Sequence, residues 1–73
     1  ELAGIWQALS PRECQVAQLA AEGLTTKAVS DVLGIAERTA QVHVAHVCSK
    51  LGVENAVGVA QIIARLRARG VLQ

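Results

Sequence analysis

Gly23, Gly34, Gly52 and Gly70 each close a run of apolar residues at helical spacing, and capping residues open several of these runs. The strongest start is Ser10-Pro11-Arg12-Glu13. Ser10 caps free N–H groups, Pro11 stands where its missing N–H costs nothing, and Glu13 closes a capping box. The helix it opens runs through Val16, Leu19 and Ala20, and Leu24 follows as a core plug in the turn. Thr25 or Thr26 opens a short second helix through Val29, Val32 and Leu33. A third begins near Ala36 or Glu37, with Ala40, Val44, Val47 and Leu51 as its inner stripe. Asn55 caps a fourth. The β-branching from Val42 to Val47 lacks the alternation of a strand, so the helical stripe is the better fit. The expected class is all-α, a small four-helix domain with helices at about 10–22, 26–33, 37–51 and 55–69. Ahead of it, Leu2, Ile5, Trp6 and Leu9 share one helical stripe, so residues 1–9 read as a linker or short docking helix and 10–73 as the domain.

The chain has 73 residues, one domain's worth, and a hydrophobic fraction of 52% that excludes a disordered tail. Ordering costs about 1.5 kcal/mol per residue, so nearly every apolar side chain must contribute and dimerisation would help. Seven Lys and Arg against six Asp and Glu leave a net charge of +1. Trp6 is the single aromatic residue, which argues against a base-stacking platform for single strands. No apolar run approaches the ~20 residues that cross a bilayer, so no membrane partner is expected. Cys14 and Cys48 make no disulfide framework, and a reducing, cytoplasmic setting is expected. Cys14 reads as a small surface residue and Cys48 as a small helix filler. Neither cysteine has metal-ligand spacing with His43 or His46, and no nucleophile–base pair stands out, so no enzyme, metal or cofactor is expected. The start at Glu1 rather than Met suggests a piece of a longer protein.

Two short helices joined around Gly34-Ile35 have the spacing of a helix-turn-helix, whose second helix enters the major groove of DNA. Spacing alone leaves an ordinary helical bundle that meets another protein equally open. The residues then resemble a known family. Ser10–Glu13 (SPRE), Ala21–Lys27 (AEGLTTK), Val32–His43 (VLGIAERTAQVH) and Ser49–Val53 (SKLGV) are similar to the LuxR/GerE-type DNA-binding domain, the C-terminal output domain of many bacterial response regulators and quorum-sensing regulators. The resemblance covers Leu9 to about Leu66.

The resemblance implies sequence-specific binding of double-stranded DNA in transcription regulation, with the third helix as recognition helix. Gln41, Val42 and Ala45 would meet base edges: Gln41 suits adenine, and Val42 and Ala45 suit thymine methyls. Lys27, Arg38, Thr39, His43 and Lys50 would meet phosphates and fix the pose. Domains of this type dimerise through the last helix, where Val57, Ala60, Gln61 and Ala64 are the candidates. The alternative for these Ala and Val residues is that they complete the domain's own core. An upstream receiver or ligand-sensing domain and RNA polymerase are the further implied partners.

Several positions depart from the family pattern. Gln41, Ala45 and Asp31 stand where basic residues are usual, Ala36 where a capping Ser or Thr is usual, and Ala28 and Gly58 where Glu would close capping boxes. Gly58 costs helix stability unless close packing uses its missing side chain. The weak positive charge keeps a second function open, a degenerate helix-turn-helix serving as a protein-interaction or dimerisation module.

Overall fold

The computed structural model describes residues 2–72, the side chain of Leu2 excepted. Among the described residues five helices follow one another: α1 (Leu2–Gln7), α2 (Pro11–Ala21), α3 (Thr26–Leu33), α4 (Glu37–Leu51) and α5 (Ala56–Ala68). The protein is all-α, with the four expected helices behind a short first one that docks through Trp6, only 8% exposed. None of the described helices is long and apolar enough to cross a membrane.

Local chemistry sets the boundaries. Ser10 and Glu13 form a complete capping box: the Glu13 N–H donates to Ser10 Oγ at 3.1 Å, and the Ser10 N–H donates to Glu13 Oε1 at 2.9 Å. Thr25, not Thr26, caps α3 by accepting from the Ala28 N–H. Asn55 caps α5 by accepting from the N–H groups of Val57 and Gly58. Ala36 occupies the corresponding position of α4 with no side-chain bond to offer. Gly34 turns the chain between α3 and α4 at φ 67°, a left-handed conformation that side chains with a Cβ resist. The Ile35 N–H then returns to the Ser30 carbonyl and Ile35 tucks against the core.

Fully buried Val16 and Ala17 of α2, Val29 of α3, Ala40 of α4, and Val59, Ile63 and Leu66 of α5 form the centre. α2 packs on α4 and α5, and α3 packs on α4, so the third and fourth helices are carried on a rigid backing. Within the expected α4 stripe, Ala40, Val47 and Leu51 are buried and Val44 is half-buried, while Cys48 joins the core as expected of a filler. Cys14 corrects the reading as a surface residue: it is half-buried and packed against the core. Val32, read as part of the short helix's apolar run, is 61% exposed because α3 turns Val29 inward instead. Gly58 is a close-packing glycine. A Cβ placed there would stand 2.6 Å from Val53 Cβ, so the turn before α5 lies against the helix only because no side chain intervenes.

Candidate nucleic-acid interface

α4 presents a long outer face that no other described element covers. Arg38, Thr39, Gln41, Val42, Ala45, His46 and Ser49 are exposed along it, and His43 is half-buried at its edge. This distribution follows from helical geometry: with Ala40, Val47 and Leu51 fixed inward, residues at the opposite phase must point out. The sites expected to meet base edges, Gln41, Val42 and Ala45, are all exposed on that face. Arg38 and Thr39 stand one turn earlier, in the first turn of α4. Lys27 is exposed in the first turn of α3, on the helix that leads into the turn. Asp31 and Glu37 are exposed as well, so the charge on these two helices is mixed.

Lys50 has a second engagement. Its Nζ donates to Glu13 Oε1 at 2.8 Å and to the Ala8 carbonyl at 3.4 Å. One ammonium therefore ties the last turn of α4 to the first turn of α2 and to the segment just after α1. The Glu13 side chain is only 7% exposed, against 43% for Lys50. The Lys50 bond, aided by the Ser10 N–H, outweighs burial and lowers the Glu13 pKa to about 2. The other carboxylate oxygen faces His46 Nδ1 at 3.9 Å. Sequence reading gave Glu13 only its capping role. A bond spanning α2 and α4 leaves no periodic trace, so nothing local could have revealed it.

The last helix keeps a separate open face. Val57 is 65% exposed, Gln61 and Ala64 are exposed, and Ala60 is half-buried, at helical spacing on one side. The core is served by Val59, Ile63 and Leu66 instead, so Val57 and Ala64 do not complete it. Between α2 and α3 lies an open hollow of about 230 Å³ lined by Leu19, Val32, Leu33 and neighbouring polar residues. Both thiols have raised pKa values, Cys14 through burial and the Glu13 charge and Cys48 through burial. Among the described residues, no group of three or more His, Cys, Asp or Glu is placed to hold a metal ion.

The model of the bacterial regulatory proteins of the luxR family matches residues 7–63, from the end of α1 to the middle of α5. The chain belongs to that family. It is similar to the transcriptional regulatory protein UhpA of Escherichia coli K12, 42% identical over 53 residues that cover 73% of this chain and 27% of UhpA. Similarity to the quorum sensing-dependent transcriptional regulator RpaR of Rhodopseudomonas palustris reaches 43% over 47 residues, 64% of this chain and 19% of RpaR. A protein of Mycobacterium tuberculosis H37Rv named as an HTH-type transcriptional regulator is 38% identical over 60 residues, 82% of this chain and 7% of that protein. The luxR-family chain thus spans less than a third of each of these relatives. No solved structure matches it significantly. The family is one of regulators rather than catalysts, and α3, the Gly34 turn and α4 all fall within the matched residues.

Proposed function

We propose that this domain binds double-stranded DNA sequence-specifically, as the cytoplasmic output domain of a longer bacterial transcription regulator. The observation that carries the reading is the uncovered face of α4, backed by α2 and α3 and joined to α3 through the left-handed Gly34 turn. A 15-residue helix held by its inner stripe has the width and rigidity to enter a major groove. In this reading Gln41, Val42 and Ala45 meet base edges. Lys27, Arg38, Thr39, His43 and Lys50 face phosphates, with the Lys50 charge shared with Glu13. Two copies pair through Val57, Ala60, Gln61 and Ala64 of α5 and set their α4 helices about 34 Å apart on a palindromic site. An upstream receiver or ligand-sensing domain governs access to these faces, and RNA polymerase is the downstream partner.

The test is anisotropy titration of labelled duplex with wild type, Arg38→Ala and Gln41→Ala. Arg38→Ala should weaken binding to every sequence about equally, whereas Gln41→Ala should relax preference at one base position by about 1–3 kcal/mol. Equal behaviour of the two variants on all duplexes would contradict the assignment. A second reading, a protein-interaction module, is favoured by exposed Val32 beside the α2–α3 hollow. It predicts no duplex binding at low salt, with loss of a protein partner on Val32→Glu.

A further inference from the structure

Among the described residues, the large apolar side chains that stand open to solvent are Val32, Val42, Val57 and Val71. Val42 lies on the α4 face and Val57 on the α5 face, which leaves Val32 and Val71 without a use. Each of these is set among charges of one sign. Val32 follows Asp31 and lines the α2–α3 hollow together with Glu22, and both carboxylates are exposed. Val71 follows Arg65, Arg67 and Arg69, all exposed, in a stretch from Ala56 onward that holds no acidic residue. None of these carboxylates and guanidiniums has an ion-pair partner among the described residues.

The two patches also match in form. α5 ends in a fixed turn: the Gly70 N–H donates to the Arg67 carbonyl at 3.1 Å, and the Val71 N–H donates to the Leu66 carbonyl at 2.9 Å. Leu72 packs back on the core. Val71, 41% exposed, is thereby held as a rigid knob beside the last turn of α5, so covering it costs little ordering entropy. The hollow is its counterpart, about 230 Å³ with Leu19, Val32 and Leu33 as apolar lining and Glu22 as its charged one. Its lining comes from α2, the α2 C-cap and α3, so the α5 end of the same copy does not fill it. A second copy can.

We propose that the α5 end of one copy docks in the α2–α3 hollow of the next, Val71 entering against Leu19, Val32 and Leu33 while Arg67 and Arg69 reach Glu22 and Asp31. The two surfaces differ, so the contact is head-to-tail: each copy keeps one free hollow or one free α5 end, and association does not stop at two. The face of Val57, Ala60, Gln61 and Ala64 is different in kind, because there like would meet like and a pair would be complete. The docking patch is small, so the contact is weak, half-formed near about 1 mM, and its rim charges make it sensitive to salt. Copies already held side by side reach such local concentrations. The inference does not rest on the DNA-binding reading.

The test is a series of amide NMR spectra of the 73-residue chain at low salt, from about 0.05 mM to about 2 mM. Peaks of Leu19, Val32 and Leu33 should move with concentration together with those of Arg67 and Val71. Glu22→Arg and Arg67→Glu should each weaken the association about tenfold, with circular dichroism confirming that both variants stay helical. An equimolar mixture of the two variants should restore it, because the reversed hollow of one copy then meets the reversed α5 end of the other. An isologous contact would show no such rescue. Peaks that stay fixed up to about 2 mM, movement confined to Val57, Gln61 and Ala64, or a mixture that stays dissociated overturns the inference. None of these outcomes bears on duplex binding by α4, which the anisotropy titration tests separately.

Discussion

Glu13 does two jobs with one carboxylate. It completes the α2 capping box and anchors Lys50 from α4, and Lys50 reaches on to the Ala8 carbonyl. The folded chain keeps Glu13 ionised down to about pH 2, whereas an unfolded chain protonates it near the ordinary value of 4.5. Protons therefore bind preferentially to the unfolded state between those values. The stabilisation is complete above the window and is lost as pH falls through it. Lys50 and His46 face this carboxylate, and the neighbouring Cys14 thiol feels its charge. Urea midpoints measured from pH 7 down to pH 2 should show wild type losing its advantage over Glu13→Gln only below about pH 4.5. At neutral pH the variant should be less stable by about 2 kcal/mol, from a weakened cap and a lost charge-assisted bond. Ala36 offers the opposite experiment. It begins α4 without a side-chain cap, so Ala36→Ser should raise stability by about 1 kcal/mol in the same titration.

The α4 and α5 helices show what local signals can and cannot reveal. The starts of α2, α3 and α5 were legible because Ser10, Thr25 and Asn55 act on N–H groups within three residues of themselves. The stops were legible because each of Gly23, Gly34, Gly52 and Gly70 takes a positive φ where a helix ends. The outer face of α4 followed from the phase of Ala40, Val47 and Leu51. Tertiary choices were not legible. Half-buried Cys14, exposed Val32 and the Lys50–Glu13 bond each depend on which neighbour a helix face meets, and sequence spacing does not encode that. Gly58 lay between the two: its cost was visible, and its reason waited for Val53 to appear against it. Gly58→Ala gains helix propensity of about 1 kcal/mol, yet it forces Val53 aside in a tight turn, and overpacking costs about 1–3 kcal/mol. Thermal unfolding should show a net loss of about 1 kcal/mol, and a stabilised variant would contradict the close packing.

The whole chain is marginal in size and weakly charged, and the proposed function has its two open faces cooperate. In the proposed reading, the α5 face of Val57, Ala60, Gln61 and Ala64 is where a second copy would complete the DNA-binding unit. Val57→Asp should leave the fold intact, since Val57 is 65% exposed. Sedimentation should show the dimer weakened, and affinity for a two-half-site duplex should fall at least tenfold or so while a single half-site is unaffected. Unchanged palindrome affinity would mean that dimerisation lies elsewhere. With Lys27 and Arg38 as the cations offered by each copy, and Lys50 neutralised by Glu13, a bound dimer displaces about four counterions, and log K should fall against log salt with a slope of about −4. The titration to perform is therefore duplex binding across a salt series, for wild type and Arg38→Ala. The account predicts that shallow slope, reduced by about one per subunit in the variant. Duplex binding with no salt dependence, or a slope that Arg38→Ala leaves untouched, would contradict an α4 helix seated in the major groove.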